Sequence, residues 1–374
     1  MKELNISKGI AIIAVLMLHI LFINTYTPYP WIRYFGFLVL IFFTVSGYEF
    51  SASKVSVRKD YHNYIVVPLV YMLKYYLIIA VLYSLIMIIT GKLGLLDCAY
   101  ATLCEIFTES LVKIIFHRGY PAISFKPVFS AFWLIRDYTI ANLIMIPAVR
   151  LYKGGKFRKI ATFTGLLILS AACYVLLPNL PFQLQTIPSF CVFMFMGYVV
   201  KTEKLYLKFL QLSKEKRLII ALSLFAICAI LSSRLEMNHI ALGRFAMNDA
   251  SFICWLLGML VCAASIIPCL YGARALASNE KLSSFFTTLG RGSADMNFVH
   301  MFFAMSLFQI TGIQNGRCIS EAISVTPGLF LQFLTAFVFS FAMSYLWIIL
   351  YRKIISFRVK HRRKNTVKPV LHNT

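Results

Sequence analysis

Apolar stretches about twenty residues long recur along the whole chain, and this repetition excludes most folds before any motif is read. A bilayer core of roughly 30 Å needs about twenty apolar residues in a helix to cross it. Ten stretches fit, near 8–24, 34–50, 63–90, 129–149, 160–177, 187–200, 217–233, 250–271, 293–313 and 327–351. Of the 374 residues, 60% are hydrophobic and 14% charged, whereas a soluble domain carries roughly 25% charge. The expected fold is therefore all-α: a polytopic membrane protein of about ten transmembrane helices around a central polar cavity. The sixth stretch is short, with Pro178 and Pro181 before it and Pro188 at its start, so a tilted or partly re-entrant helix is expected there. The segment 99–116 carries Glu105, Glu109 and Lys113 among apolar residues and reads as an interfacial helix in a long outer loop.

Basic residues fix an orientation. The net charge is +23, but the Lys and Arg side chains are not gathered in one patch, which argues against a nucleic-acid partner. Connectors taken alternately, starting from the N-terminus, hold 27 of them; the other connectors hold 8 and the spans 2. By the positive-inside rule both termini are cytoplasmic and the location is the cell (inner) membrane, multi-pass. Residues 1–351 form one transmembrane domain in this reading. The basic stretch 352–374 is expected to be a disordered cytoplasmic tail lying on anionic membrane lipid. The nine cysteines show no metal-ligand spacing, and neither a metal nor a permanently bound cofactor is expected.

Ionisable groups inside spans are costly and tend to face a cavity or a partner. The spans hold His19, Lys74, Arg136, Asp137 and His300. At 1.5 Å per residue, His19 lies roughly 16 Å beyond Lys8, and His300 roughly 13 Å beyond Arg291. Lys74 and Arg136 lie roughly 15 Å and 21 Å deep. All four fall near mid-membrane, which points to one polar cavity. Each also has a plainer reading. An intramembrane His often only hydrogen-bonds a neighbouring helix, Lys74 can snorkel or pair with Asp137, and Trp133 can serve packing alone. "FFTVSGYEF" puts Ser46, Gly47, Tyr48 and Glu49 at the end of the second span, where glycine permits close helix approach. After it, Arg58 and Lys59 suit either phosphate binding or a topology signal. "LGRGSADMNFVH" carries Gly290, Gly292 and Ser293 ahead of His300, an anion-receptive helix start.

Taken in order, these stretches resemble the membrane acyltransferase family 3. A basic residue, ten residues and then His in the first helix is similar to the family hallmark, with Lys8 where Arg is usual. "FFTVSGYEF" resembles its FFF-x-SG-[FY] segment and "SAFWLIRDYTIANLIMIP" its WF-[IL]-RDL segment. "FCVFMFMGYVV" resembles FF-x-GY, and "LGRGSADMNFVH" resembles LG-x-x-S-x-x-x-Y-x-x-H. The family's basic residues ahead of the third-helix proline are displaced here. Arg58 and Lys59 come earlier, and Ile65 stands three before Pro68.

The resemblance implies O-acyl transfer, often O-acetyl, from cytoplasmic acetyl-CoA or another acyl-CoA. The acceptor it implies is a hydroxyl of an envelope glycan, such as an exopolysaccharide or lipopolysaccharide, or a lipid-linked sugar. Polysaccharide-synthesis machinery is an implied partner. His19 is then the general base or the acyl carrier, and Arg136 stabilises the oxyanion. Asp137, Tyr48 and His300 orient the imidazole or the acceptor. Lys8, with Tyr48, Arg58 and Lys59, holds the donor; Ser46, Lys74 and Trp133 line the acceptor side of the cavity. A transporter or flippase, for a small or lipid-linked substrate crossing the same midplane groups, is the alternative.

Overall fold

The computed structural model describes residues 2–24, 37–51, 57–91, 94–99, 132–176, 187–234, 264–311 and 327–366. All regular structure among them is helical. The helices are α1 (Lys2–Asn24), α2 (Phe37–Glu49), α3 (Val57–Ile89), α4 (Phe132–Tyr152), α5 (Lys156–Leu176) and α6 (Ile187–Thr202). They continue with α7 (Leu205–Leu210), α8 (Lys214–Arg234), α9 (Ile266–Leu276), α10 (Glu280–Arg291), α11 (Ser293–Thr311) and α12 (Pro327–Thr366). Nine of the ten apolar stretches thus carry a helix over most of their length. The eighth, 250–271, is described from 264 onward, and the expected interfacial helix at 99–116 lies outside the described residues save for 99.

The sequence dictates two kinds of helix. In α6, residues of both faces are buried, from Ile187 through Val200, because it is apolar all round. It is the central post, packed by α2, α4 and α5. Helix α3 is also apolar all round, yet it buries one face only. Met72, Tyr75, Tyr76, Ile79, Ala80, Tyr83 and Met87 point inward. Val67, Val70, Leu77, Val81, Leu85 and Ile88 form an exposed stripe at helical spacing. Exposed apolar surface on that scale suits lipid rather than water. Helix α3 and the Leu334–Lys353 part of α12 are long and apolar enough to cross a membrane.

Two crossings are closer than side chains allow. At α2–α6, a Cβ on Gly47 would lie 2.8 Å from Met194 Cα, and one on Gly197 would lie 2.9 Å from Tyr48 N. At α1–α10, a Cβ on Gly290 would lie 2.9 Å from Asn5 Cα, and Gly9 meets the Phe286 backbone. Each crossing thus has a glycine on both helices, and backbone rests on backbone. Helix α1 is the shared wall of two apolar clusters. Leu4, Ala11 and Ala14 join the α2–α4–α6 side, while Ile12, Val15 and Leu16 join the α3–α11–α12 side.

Three features differ from the sequence expectation. Residues 280–291 form a helix, α10, where a connector was expected. Asn279 caps it, its side chain accepting a 3.1 Å bond from Leu282 N–H. Within α3, residues His62–Val66 form a π turn, in which Val67 N–H bonds to the His62 carbonyl. Pro68 has no N–H and its ring crowds the carbonyl four residues back, so the extra residue relieves the backbone there. Finally, α12 does not stop at residue 351 but runs to Thr366. The basic tail is rich in Arg and Lys, which are good helix formers, and no proline intervenes before Pro369.

Candidate functional site

Helix α1 is unbroken from Lys2 to Asn24, so Lys8 and position 19 ride one rod. Eleven residues are close to three turns, which sets the two positions on one helix face about 16 Å apart. The wall around this rod is made by α2, α9, α10, α11 and α12.

At the Lys8 end, four elements meet. Lys8 Nζ forms a 2.6 Å ion pair with Glu49 Oε2 at the end of α2. Lys8 is mostly covered, its side chain 18% exposed. The chain leaving α2 is pinned from two sides. Lys201 Nζ, on α6, donates to the Phe50 carbonyl at 3.0 Å. Tyr64, in the π turn, accepts from Ser51 N–H at 2.8 Å and donates to Ser51 O at 3.1 Å, and its ring stacks on Phe50 at 4.1 Å. Burial pushes the Lys201 ammonium pKa down, while the Glu49 charge pulls it back up. Glu49 therefore sits in the field of two cations, Lys8 and Lys201.

Around this centre stand two further ion pairs. Arg150 Nη2 holds the buried Asp60 carboxylate at 2.6 Å, tying the start of α3 to the end of α4. Glu203 accepts from Lys159 Nζ at 2.6 Å and from Tyr152 OH at 2.9 Å. Those two bonds, Lys159 first, hold the Glu203 carboxyl below the usual carboxylate range.

The sequence-predicted residues divide clearly. His300 is fully buried on α11, which packs against α1. Its Nδ1 lies 2.8 Å from the Met296 carbonyl. A carbonyl can only accept, so Nδ1 carries a proton and donates it to that carbonyl. Asp137 is buried on α4. The Ser46 hydroxyl donates to Phe42 O of its own helix at 2.7 Å. Tyr48 is half-buried one residue before the Lys8 partner, Glu49. Arg58 and Lys59 are exposed on the first turn of α3. Lys74 corrects the expectation of a cavity position. It is exposed on the outer stripe of α3, between Val70 and Leu77, because its helix turns Tyr75 and Tyr76 inward instead. Positions 19, 133 and 136 fall on α1 and α4, but the side chains of His19, Trp133 and Arg136 lie outside the described residues.

One buried polar cluster was not foreseen. Asp295, in the first turn of α11, accepts from Tyr71 OH of α3. Tyr75 and Arg352 lie within electrostatic reach of it, and Trp347 Nε1–H of α12 donates to Tyr75 OH at 3.0 Å. Three helices are joined there. Asp295 stood within a quoted motif, but no local signal named its hydrogen-bond partner Tyr71, 224 residues away in sequence.

The sequence model of the acyltransferase family 3 domain matches residues 1–352. The chain belongs to acyltransferase family 3. No curated protein and no solved structure matches it. As a family 3 acyltransferase it is a membrane protein, and the family match spans both apolar clusters and the whole Lys8 end. The ordered motifs quoted above lie within the matched residues, from Lys8 to His300. Two of their glycines form the α2–α6 crossing, Gly47 against the Met194 backbone and Gly197 against the backbone of Thr44 and Tyr48.

Proposed function

We propose that this family 3 protein is an O-acyltransferase, in the acetyl-transfer style. It would move an acyl group from acyl-CoA to a hydroxyl of an envelope polysaccharide or lipid-linked sugar. The observation that carries this reading is the continuous α1 rod, with Lys8 at a cation-lined end and position 19 three turns deeper on the same face. Such spacing suits a donor whose phosphates stay at the end of the bundle while a flexible arm brings its thioester inward. The excess of basic residues in alternate connectors supports assigning the Lys8 end to the cytoplasm.

In the proposed reaction the acceptor hydroxyl oxygen attacks the thioester carbonyl carbon. His19, acting as general base, takes the hydroxyl proton as the C–O bond forms. Negative charge gathers on the carbonyl oxygen and is met by Arg136. The C–S bond then breaks, and the thiolate leaves with the proton returned by His19. Asp137 and His300 orient the imidazole or the acceptor from α4 and α11. Lys8 holds a donor phosphate, with Tyr48, Arg58 and Lys59 near the entrance; Ser46 and Trp133 serve the acceptor side.

The test is transfer of label from acyl-CoA to envelope glycan by purified protein, read by mass spectrometry. His19→Ala should abolish transfer while the protein stays folded. Lys8→Ala should raise KM for acyl-CoA, and Lys8→Arg should be tolerated. Normal acylation by His19→Ala would sink the mechanism. Substrate movement across vesicles with no acyl ester formed would favour a transporter instead.

A further inference from the structure

The Lys8 end carries its own anion. Glu49 Oε2 lies 2.6 Å from Lys8 Nζ, and Lys201, anchored on the carbonyl of the very next residue, adds a second cation to its field. Resting on the donor-site reading above, we infer that Glu49 is a built-in counter-anion of a Lys8–Lys201 phosphate site and sets the affinity for the donor. Lys201 is thereby a donor-binding residue that the motif pattern did not reveal.

The geometry supports an exchangeable rather than a structural carboxylate. The backbone of residues 50 and 51 is held by Lys201 and Tyr64, independently of the Glu49 side chain. Glu49 is at the end of its helix and more than a third exposed, so it can swing into solvent without disturbing α2. Lys8 and Lys201, in contrast, are on α1 and α6, which meet α2 along its length. A phosphate dianion carries more charge than a carboxylate and has three acceptor oxygens, so it can engage both ammonium groups at once. Until it arrives, the Glu49 carboxylate pairs with Lys8 and lends its charge to Lys201. The occupant is the phosphate of the acyl donor; its binding must displace Glu49 and lose that ion pair. A partly exposed pair is worth up to about 1 kcal/mol, so removing the competitor should tighten donor binding roughly threefold to fivefold.

The experiment uses full-length protein in nanodiscs of neutral phosphatidylcholine, so that no lipid anion competes. CoA binding is measured by calorimetry, and KM for acyl-CoA by label transfer. Glu49→Gln keeps the side-chain shape and removes the charge. It should bind CoA at least threefold more tightly, with a lower KM and a steeper loss of affinity as salt is raised. Adding Lys201→Gln should cancel that gain. Unchanged or weaker CoA binding by a folded Glu49→Gln protein overturns the inference. If Glu49→Gln does not fold, Lys201→Gln alone decides: weaker CoA binding supports the site, and unaltered binding refutes it. Two failures are distinguishable. Acyl transfer by the unmodified protein with no gain in Glu49→Gln removes only the counter-anion. No CoA binding and no transfer by any form removes the donor-site reading itself, and the inference with it.

Discussion

Replacing Gly47 by alanine tests the packing that positions the Lys8 end. The new methyl would stand 2.8 Å from Met194 Cα and closer still to the Met194 carbonyl oxygen. Ordinary Cβ contacts begin at 3.4 Å. Clearing Met194 Cα alone needs the α2 and α6 backbones to part by about 0.6 Å, clearing the nearer carbonyl oxygen needs more, and interiors packed to crystal density resist such a shift. Overpacking of this kind costs about 1–3 kcal/mol. Gly197→Ala strains the same crossing from the other side, against Thr44 and Tyr48. One separation relieves both clashes, so the double variant should cost about 1 kcal/mol less than the two single costs together. Gly165→Ala is the control. It lies inside α5 with nothing within 4 Å of the added methyl, so it should stabilise by roughly 0.5–1 kcal/mol through helix propensity. Thermal unfolding in detergent reads all four proteins, and the crossing variants should melt several degrees lower. Equal melting of Gly47→Ala and Gly165→Ala would refute the close approach, as would strict additivity of the two crossing variants.

Four further outcomes are expected. Arg150→Met removes the 2.6 Å Arg150 contribution to the buried Asp60, which keeps a further interaction, and should destabilise by about 1–3 kcal/mol; Asp60→Asn in the same protein should recover part of that, by the same melting assay. The Glu203 carboxyl is held below its ordinary range, so its contribution is complete above that range and is lost as pH falls through the lowered value. Glu203→Gln should therefore flatten the acid limb of the melting-temperature profile. Lys74→Leu places an apolar residue on the outer stripe of α3 and should keep acyl transfer and stability; a lost activity would return Lys74 to the cavity. Trp347→Phe removes the 3.0 Å bond to Tyr75 OH and should cost about 1 kcal/mol, visible as a lower melting temperature.

Local pattern made much of this legible. The positions of α1 to α6, α8, α11 and α12 follow from apolar runs of the right length. Gly47 could be read as a site of close approach because it interrupts such a run. The Lys74 face was not legible. Apolar residues flank it on every side, so the sequence holds no amphipathic contrast, and only the packing of Tyr75 and Tyr76 decides which way the helix turns. The α10 helix was hidden for the opposite reason: "EKLSSFFTTLGR" is polar enough to pass for a connector, and its partner α1 lies about 270 residues away in sequence.

By itself, the sequence determined the helical, lipid-facing character of the chain and its family, since hydropathy and ordered motifs are properties of near neighbours along the chain. Only the tertiary structure decided that Lys8 meets Glu49, that Lys201 closes on Phe50, that Asp60 pairs with Arg150 and that glycines of both helices rest on partner backbone at two crossings. Charge pairing and backbone contact depend on distances between elements far apart in sequence. Those distances are set when the helices pack, and no single helix contains them.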